Sequence, residues 1–270
     1  MSSTPLPGQA GTPQDAGPDT DARGRRIVLA AHHLQFAWPG RNAASLNIPS
    51  LTLAAGEHVL LLGPSGSGKS TLLGLLGGVL RPTQGDIRWL GHSLATARAH
   101  RVDQLRADHI GFIFQQFNLV PYLSLEDNVL LPCRFSAVRR RRAGPDPRAA
   151  ARLLLEALEL PPSTWQRPVT GLSVGQQQRA AAARALIGHP ELLIADEPTS
   201  ALDAGNRDRL LSLLMAHLKH HDASLLVVSH DAQLQPHFDR TLQMNDLNTL
   251  ACPDDAHPPA TPAGPLPARS

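Results

Sequence analysis

The feature that most restricts the fold of this chain is a glycine-rich segment that joins an apolar run to a helical run. Residues 63–70 read GPSGSGKS, which fits the pattern GxxxxGK followed by Ser or Thr. The apolar residues 58–62 precede the segment and the helical pattern of residues 71–76 follows it, which is the context that this motif requires. The segment therefore predicts an α/β fold in which phosphate groups bind at the start of a helix.

Each residue type in this phosphate loop (residues 63–70) suits the binding of phosphate. Glycines let backbone N–H groups turn towards phosphate oxygens, and the N-terminus of the next helix adds partial positive charge. We expect Lys69 to neutralise the β and γ phosphates of ATP, and the Ser70 hydroxyl to ligate Mg²⁺. The predicted phosphate-binding residues are Gly63, Pro64, Ser65, Gly66, Ser67, Gly68, Lys69, Ser70 and Thr71. The loop alone does not separate kinases, GTPases, helicases and transport ATPases.

A second motif is an apolar run that ends in two carboxylates, Asp196 and Glu197. We expect Asp196 to ligate Mg²⁺ and Glu197 to polarise the attacking water. Runs of this kind are typical of buried parallel strands. The four predicted strands cover residues 58–62, 112–114, 192–195 and 225–228. Ligands of such sheets bind beyond the carboxyl ends of the strands, where both motifs fall.

Two regions of the chain depart from the parallel α/β pattern. Residues 27–38 and 46–53 alternate loosely and predict antiparallel strands at one edge. Residues 116–170 lack comparable strand runs and predict an inserted helical subdomain. Within it, Asp146 caps a helix that begins at Pro147 and ends before Pro161. The expected apolar face of this helix consists of Leu153, Leu154, Ala157 and Leu158.

Composition bounds the ordered part of the chain. An apolar fraction of 42% is ordinary for a globular protein. The two cysteines, Cys133 and Cys252, match no metal-site spacing and suggest no disulfide framework. No stretch of about 18 residues is apolar enough to span a bilayer. Residues 1–26 and 251–270 are rich in Pro and are expected to be disordered tails, with one structured unit over residues 27–250.

We interpret the basic residues 139–142 as a solvated loop rather than a contact for anionic lipid headgroups.

With the segment LSVGQ at residues 172–176, the sequence resembles the ABC-type ATPases over about residues 27–247. Trp38, Gln115, residues 198–203 and His230 agree with the family in order. The resemblance implies a P-loop NTPase core with a mostly parallel sheet, an antiparallel β edge subdomain and an inserted helical subdomain. It also implies ATP and Mg²⁺ as cofactors. Trp38 would stack on adenine, although Phe36 competes for this role. Gln115 would contact Mg²⁺ or water, and His230 would contact the γ phosphate.

Residues 172–176, here called the signature segment, also have a physical interpretation. Ser173 and Gln176 have the spacing of a capping box, which opens a helix whose N-terminus favours anions. The resemblance implies that two subunits pair head to tail, so that Ser173 and Gly175 of one chain approach the γ phosphate bound by the other. The resemblance also implies that Gln176 and Asp203 bind the nucleotide. The family pattern has Gly where this chain has Val174, and we expect the chain to remain competent.

The stretches IGFIFQ at residues 110–115 and FNLVP at residues 117–121 resemble the lipoprotein-release and macrolide-export group, which includes a cell-division ATPase. This implies an ATP-hydrolysing subunit that energises a separate transmembrane permease, as an exporter or a mechanical transporter. The expected partners are the permease and a second copy of the chain, with no nucleic acid. The expected location is the cytoplasmic face of the inner membrane, held there through the permease.

Other function classes fit the sequence less well. Soluble ABC ATPases of translation or DNA repair carry two cassettes or long insertions, whereas this chain has one uninterrupted cassette. A small-molecule kinase would lack the signature segment and His230, and a GTPase would need an Asn-Lys-x-Asp motif, which is absent. A subunit that regulates a division or cell-wall partner without transport stays open, and the sequence does not identify the transported substrate.

Overall fold

The computed structural model describes residues 20–40, 44–200 and 202–250. These residues form two β-sheets and a set of helices. The strands are β1 (Ile27–Phe36), β2 (Leu46–Ala54), β3 (His58–Leu62), β4 (Gln84–Trp89), β5 (His92–Ser93), β6 (Ile110–Ile113), β7 (Leu192–Asp196), β8 (Ser224–Ser229) and β9 (Arg240–Gln243). The α-helices are α1 (Lys69–Leu76), α2 (Ala99–His109), α3 (Leu125–Phe135), α4 (Ala137–Arg142), α5 (Pro147–Ala157), α6 (Val174–Leu186), α7 (Ala204–His220) and α8 (Met244–Leu247).

The central sheet has the strand order β6-β7-β8-β3-β9, and every neighbouring pair in it is parallel. All residues of β3 and β8 are buried, which is why they read as continuous apolar runs. The predicted parallel strands are confirmed. Strand β6 starts at Ile110 rather than at residue 112, because its ladder with β7 pairs Ile110 with Leu192 and Ile113 with Ala195.

The second sheet is antiparallel, with the order β2-β1-β4-β5. This confirms the predicted antiparallel edge, to which the structure adds β4 and β5. Apolar side chains of this sheet, of α1 and of one face of the parallel sheet form one core cluster. Trp89 lies in that cluster, and its indole Nε1 donates to the carbonyl of Leu76 at 2.9 Å. The two sheets are thus held together around the helix that follows the phosphate loop.

The region between β6 and β7 is helical and carries α3 to α6. As predicted, Asp146 caps α5, accepting from the N–H groups of Arg148 and Ala149, and Pro147 is the first helical residue. The predicted apolar face of this helix is partly wrong. Leu154 and Leu158 are buried, but Leu153 is 68% exposed and Ala157 is also exposed. Ala151 and Leu155 take their place, because α5 packs against α3 and α6 with that side.

The interpretation of residues 139–142 as a solvated loop is wrong. These residues end helix α4, and Arg139 is only 2% exposed. Its guanidinium donates to the carbonyls of Ile187, Ile110 and Ala185. Burial lowers the pKa of Arg139 to about 10, so the group stays charged at neutral pH. The two terminal nitrogens of Arg142 donate to the two carboxylate oxygens of Glu191. Arg140 and Arg141 are exposed.

The described structure begins at residue 20, before the predicted boundary at residue 27. Thr20 and Arg26 form an isolated antiparallel β-bridge. Between them, the carboxylate of Asp21 accepts hydrogen bonds from the N–H groups of Arg23 and Arg25. This turn extends the edge of β1. Most of the predicted tails, residues 1–19 and 251–270, lie outside the described residues. Among the residues that the structure does describe, no helix is long and apolar enough to cross a bilayer.

Candidate nucleotide site

The phosphate loop connects β3 to α1 at the carboxyl edge of the parallel sheet. Gly66 and Gly68 have φ values of 82° and 93°, a left-handed conformation that glycine adopts without strain. The loop also leaves no space for a side chain at two of its glycines. A Cβ at Gly68 would lie 2.9 Å from Leu46 Cδ2, and one at Gly63 would lie 2.7 Å from Met244 Cβ. The loop therefore depends on glycine both for its backbone conformation and for its packing against β2 and α8.

Lys69 is buried at the first position of α1. Its Nζ donates to the carbonyls of Gly63 and Pro64, both at 2.7 Å. Ser67 closes the same turn, with its hydroxyl donating to Pro64 O at 2.9 Å. The ammonium group is thus held within the curve of the loop, where it can exchange these carbonyl contacts for phosphate oxygens. Pro64, Ser65 and Gly66 are exposed, and Thr71 is half-buried.

Ser70 and Asp196 meet across the sheet edge. The Ser70 hydroxyl lies 3.5 Å from Asp196 Oδ2, a loose contact that joins the start of α1 to the end of β7. Burial raises the pKa of Asp196, and the neighbouring carboxylate of Glu197 raises it further. A hydroxyl and a carboxylate are oxygen ligands of the kind that Mg²⁺ takes. A divalent cation at this point would offset the repulsion between two adjacent, half-buried carboxylates, so the residues fit that ion.

Glu197 follows β7 with a φ of 47°, a strained conformation for a residue other than glycine. Its N–H donates to Val228 O at 2.9 Å. One carboxylate oxygen accepts from the Ser229 hydroxyl at 3.1 Å, and the other lies 2.8 Å from Nδ1 of His230. The end of β8 therefore orients the carboxylate. This arrangement suits a group that accepts a proton from a water molecule.

Gln115 is exposed in the turn that follows β6. In this Gln115 loop (residues 114–118), Phe117 and Asn118 have φ values of 57° and 48°. Their carbonyls accept from the two terminal nitrogens of Arg184, each at 2.6 Å. Arg184 thus ties the loop to α6, a role that sequence reasoning missed. The available signal was an arginine set among alanines on an otherwise buried helix.

The predicted capping box of the signature segment is confirmed. The Ser173 hydroxyl accepts from the N–H of Gln176 at 3.3 Å, and the Gln176 side chain accepts from the N–H of Ser173 at 3.0 Å. Val174 is the first residue of α6 and is 51% exposed, so its side chain displaces nothing in the fold. A Cβ at Gly175 would lie 3.5 Å from Leu202, which places Leu202 beside the start of α6.

The two remaining predicted site residues are Trp38 and Asp203. Trp38 follows β1, is 41% exposed and meets the ring of Phe36 edge-on at 5.1 Å. Phe36 is buried, so it cannot stack on a base, whereas the ring of Trp38 is accessible, and its stacking on adenine stays a prediction. Asp203 caps α7, with its carboxylate bonded to the N–H and the side-chain amide of Asn206. This capping role explains Asp203 without a nucleotide contact.

Ser70, Asp196, Glu197 and His230 thus form one connected group. Trp38, Gln115, Ser173, Gly175, Gln176 and Asp203 lie on other segments. In the described part of the chain, none of these is hydrogen-bonded to the connected group. The nucleotide functions predicted for them stay predictions.

Comparison with known proteins identifies relatives of this arrangement. A family profile described as "ABC transporter" matches residues 46–200. The chain is 38% identical to the uncharacterized ABC transporter ATP-binding protein YbbA of Escherichia coli strain K12, over 80% of this chain and 94% of YbbA. It is 40% identical to the macrolide export ATP-binding/permease protein MacB of Rhodopirellula baltica, over 73% of this chain. The match spans only 28% of that MacB.

Solved structures share the fold. The dimeric ATP-binding cassette MJ0796, in a post-hydrolysis state bound to ADP and Pi, superposes with a TM-score of 0.68 at 32% identity. That match covers 80% of this chain and 93% of MJ0796. The cassette cbiO1 of Clostridium perfringens, part of the cbiONQ transporter complex, gives a TM-score of 0.66 at 24% identity over 80% of this chain and 84% of its own length. The second likeness supports the fold alone.

Proposed function

Because this chain belongs to the ABC transporter family and is an ATP-binding, ATP-hydrolysing cassette, we propose that it energises a separate transmembrane permease as a pair of identical chains. The observation that carries the proposal is the connected group of Ser70, Asp196, Glu197 and His230 at the mouth of the phosphate loop. The export names of the MacB relatives favour an exporter, and the resemblance of residues 110–121 adds a macrolide- or lipoprotein-type mechanical transporter.

The proposed chemistry divides among the residues of this group. The loop amides and Lys69 bind the phosphates, and Ser70 with Asp196 holds Mg²⁺, with Gln115 completing the metal and water contacts. The ion, when bound, offsets negative charge on the phosphate oxygens. Glu197 accepts the proton of the attacking water, and His230 contacts the γ phosphate while fixing the Glu197 carboxylate. Trp38 stacks on the adenine.

Two copies of the chain complete each site in this proposal. The N-terminus of α6 is exposed at Ser173 and Val174, and its capping box leaves the helix end open to an anion. The dimeric state of MJ0796 supports a head-to-tail pair. Each ATP would then lie between the phosphate loop of one chain and Ser173, Gly175 and Gln176 of the other, with Asp203 near the same interface.

A groove of about 560 Å³ supports the permease as the partner. It lies between the core and the helical region, and its lining includes Val79 and Phe135, which are 66% and 80% exposed. Large exposed apolar side chains of this kind mark protein interaction surfaces. Asn118 and Arg184 also line the groove, so a helix bound there would reach the Gln115 loop. Binding there would hold the cassette at the cytoplasmic face of the inner membrane.

Replacing Glu197 with Gln tests the proposal. The amide cannot accept the proton of water, so we expect hydrolysis to fall at least about 100-fold while ATP binding remains. The variant should then form a stable dimer with ATP. Size-exclusion chromatography and phosphate release measure the two effects. Glu156→Gln, on the exposed side of α5, is the control and should behave as the wild type. A dimer that forms equally well without ATP would contradict the two-chain mechanism.

A further inference from the structure

Three histidines from two separate segments meet on the side of the molecule formed by α5 and α7. His189 lies in the loop between α6 and β7, and His217 and His221 lie four residues apart at the C-terminal end of α7. One ring nitrogen from each histidine lies within 4.8 Å of one ring nitrogen from each of the other two. The ring of His189 stacks on that of His221, with centroids 3.7 Å apart, and the rings of His217 and His221 are 4.7 Å apart. We call this group the histidine cluster.

Two ring nitrogens of the histidine cluster are buried without a partner. Nδ1 of His189 and Nε2 of His217 have no hydrogen bond within the described structure. Buried side-chain nitrogen atoms nearly always have a partner, and each exception calls for an explanation such as an ion. Here two such atoms belong to two imidazoles of the same small group. The pattern indicates a ligand that all three rings share.

We propose that His189, His217 and His221 bind one divalent transition-metal ion, for which Zn²⁺ is the test ion. His217 and His221 have the i, i+4 spacing of a common pair of zinc ligands, with His217 in the last turn of α7 and His221 as the C-cap residue that follows it. Three protein ligands with an open fourth position form a known tetrahedral geometry. In such a site the ligating nitrogens lie about 3.3 Å apart. The three rings reach that separation only if they turn out of their stacked arrangement about χ1 and χ2, so the proposal includes a rearrangement of these side chains when the ion binds.

The charges around the histidine cluster restrict which ion it can take. Arg142 donates to the carbonyl of His189 at 3.2 Å, Arg139 lies nearby, and His220 and Lys219 flank the cluster on α7. Glu191 offsets the charge of Arg142 and also pairs with His109, so it is not free to ligate. Among the described residues, the group of possible metal ligands at this point consists of the three histidines, with no carboxylate. This favours ions that bind imidazole strongly, such as Zn²⁺, Ni²⁺ or Cu²⁺, over Mg²⁺ and Ca²⁺.

Burial, with added repulsion from neighbouring positive groups, lowers the pKa of His189 and of His217 to about 4. A cavity of about 280 Å³, lined by His189, His217 and apolar residues of α5, lies beside the cluster and offers an entry path.

A bound ion would join the loop before β7 to the end of α7. Binding that requires the folded arrangement stabilises the fold by mass action. Because β7 leads directly to Asp196 and Glu197, the cross-link would brace the strand that carries both carboxylates. The proposal is independent of ATP binding, and its test does not depend on hydrolysis.

The test is a titration of the tag-free full chain with Zn²⁺ in excess Mg²⁺, which occupies oxygen-ligand sites. We expect one Zn²⁺ per chain by calorimetry and a higher Tm on addition of Zn²⁺. His217→Ala and His221→Ala should each weaken binding at least about 100-fold, since even outer-shell partners contribute 10- to 100-fold. His100→Ala, on the exposed side of α2, is the control and should keep both effects.

His221 is exposed, so its replacement should leave the fold intact even if the His217 variant unfolds. Circular dichroism and ATP binding check this. Co²⁺ provides a second readout, because a tetrahedral histidine site gives an absorption spectrum distinct from that of the hydrated ion. Equal Zn²⁺ affinity in the wild type, His221→Ala and His100→Ala would overturn the proposal. So would a wild-type chain that binds no Zn²⁺.

Discussion

Arg139 shows how one residue can differ from the run that contains it. Residues 139–142 are all arginines, yet Arg140 and Arg141 are exposed while Arg139 is almost fully buried. Its planar guanidinium reaches the carbonyls of Ile110, Ala185 and Ile187, which belong to β6, to α6 and to the residue that ends α6. One side chain therefore joins α4 to the parallel sheet and to the signature helix.

We expect Arg139→Lys to lower the free energy of unfolding by about 2–4 kcal/mol. Lysine keeps the charge but lacks the fork of donors, so at least one buried carbonyl loses its partner. Urea denaturation followed by circular dichroism measures the change. The matched control, Arg140→Lys, should stay within about 0.5 kcal/mol of the wild type because that side chain is exposed. Equal midpoints for the two variants would show that the three carbonyl contacts contribute little.

Helix α6 links two functional segments at the level of elements. Its N-terminus is the signature segment, and near its C-terminus Arg184 bonds the carbonyls of Phe117 and Asn118 in the Gln115 loop. The buried alanines of α6 pack against α3 in the helical region. A rigid-body movement of that region would therefore move both segments together.

Arg184→Ala should loosen the Gln115 loop without abolishing ATP binding. Because the carbonyls of Phe117 and Asn118 lose their donor, amide hydrogen exchange over residues 114–119 should become faster. The hydrolysis rate should fall about tenfold, the scale on which a linking residue alters coupling. Arg179→Ala is the control on the same helix, because Arg179 contacts Glu159 instead. Unchanged exchange in the Arg184 variant would rule out this positioning role.

At the scale of the whole molecule, the proposed pairing means that one chain contributes halves of two different sites. The phosphate loop, Asp196, Glu197 and His230 gather at one edge of the parallel sheet, whereas Ser173 is exposed at the start of α6. In the proposed pair, activity depends on complementary halves from two chains. Mixing two inactive variants can test this dependence.

We expect Ser173→Arg and Lys69→Ala each to be inactive as pure dimers. In a mixed dimer, one site combines the intact phosphate loop of the first variant with the intact signature segment of the second. Mixing should therefore restore up to about one quarter of wild-type hydrolysis, as half of the dimers are mixed and each has one intact site. Phosphate release from the mixture measures this. Additive, near-zero activity at all mixing ratios would argue for sites contained within one chain.

Local patterns account for what could be predicted. The phosphate loop, the two carboxylates after β7, the Asp146 cap and the Ser173–Gln176 capping box each depend on residues that are close in sequence. Their geometry follows from backbone conformation and short-range hydrogen bonds. Helix α5 marks the limit of such patterns, since its periodicity predicted an apolar face that included Leu153, which the structure exposes.

By itself, the sequence determined the α/β class, the positions of four parallel strands and the position of the phosphate loop. The tertiary structure alone decided which charged groups are buried and which distant segments meet. The burial of Arg139, the bonds of Arg184 to the Gln115 loop and the meeting of His189 with His217 all join residues more than 25 positions apart in the chain. Such contacts depend on how whole elements pack, and no short stretch of sequence encodes that packing.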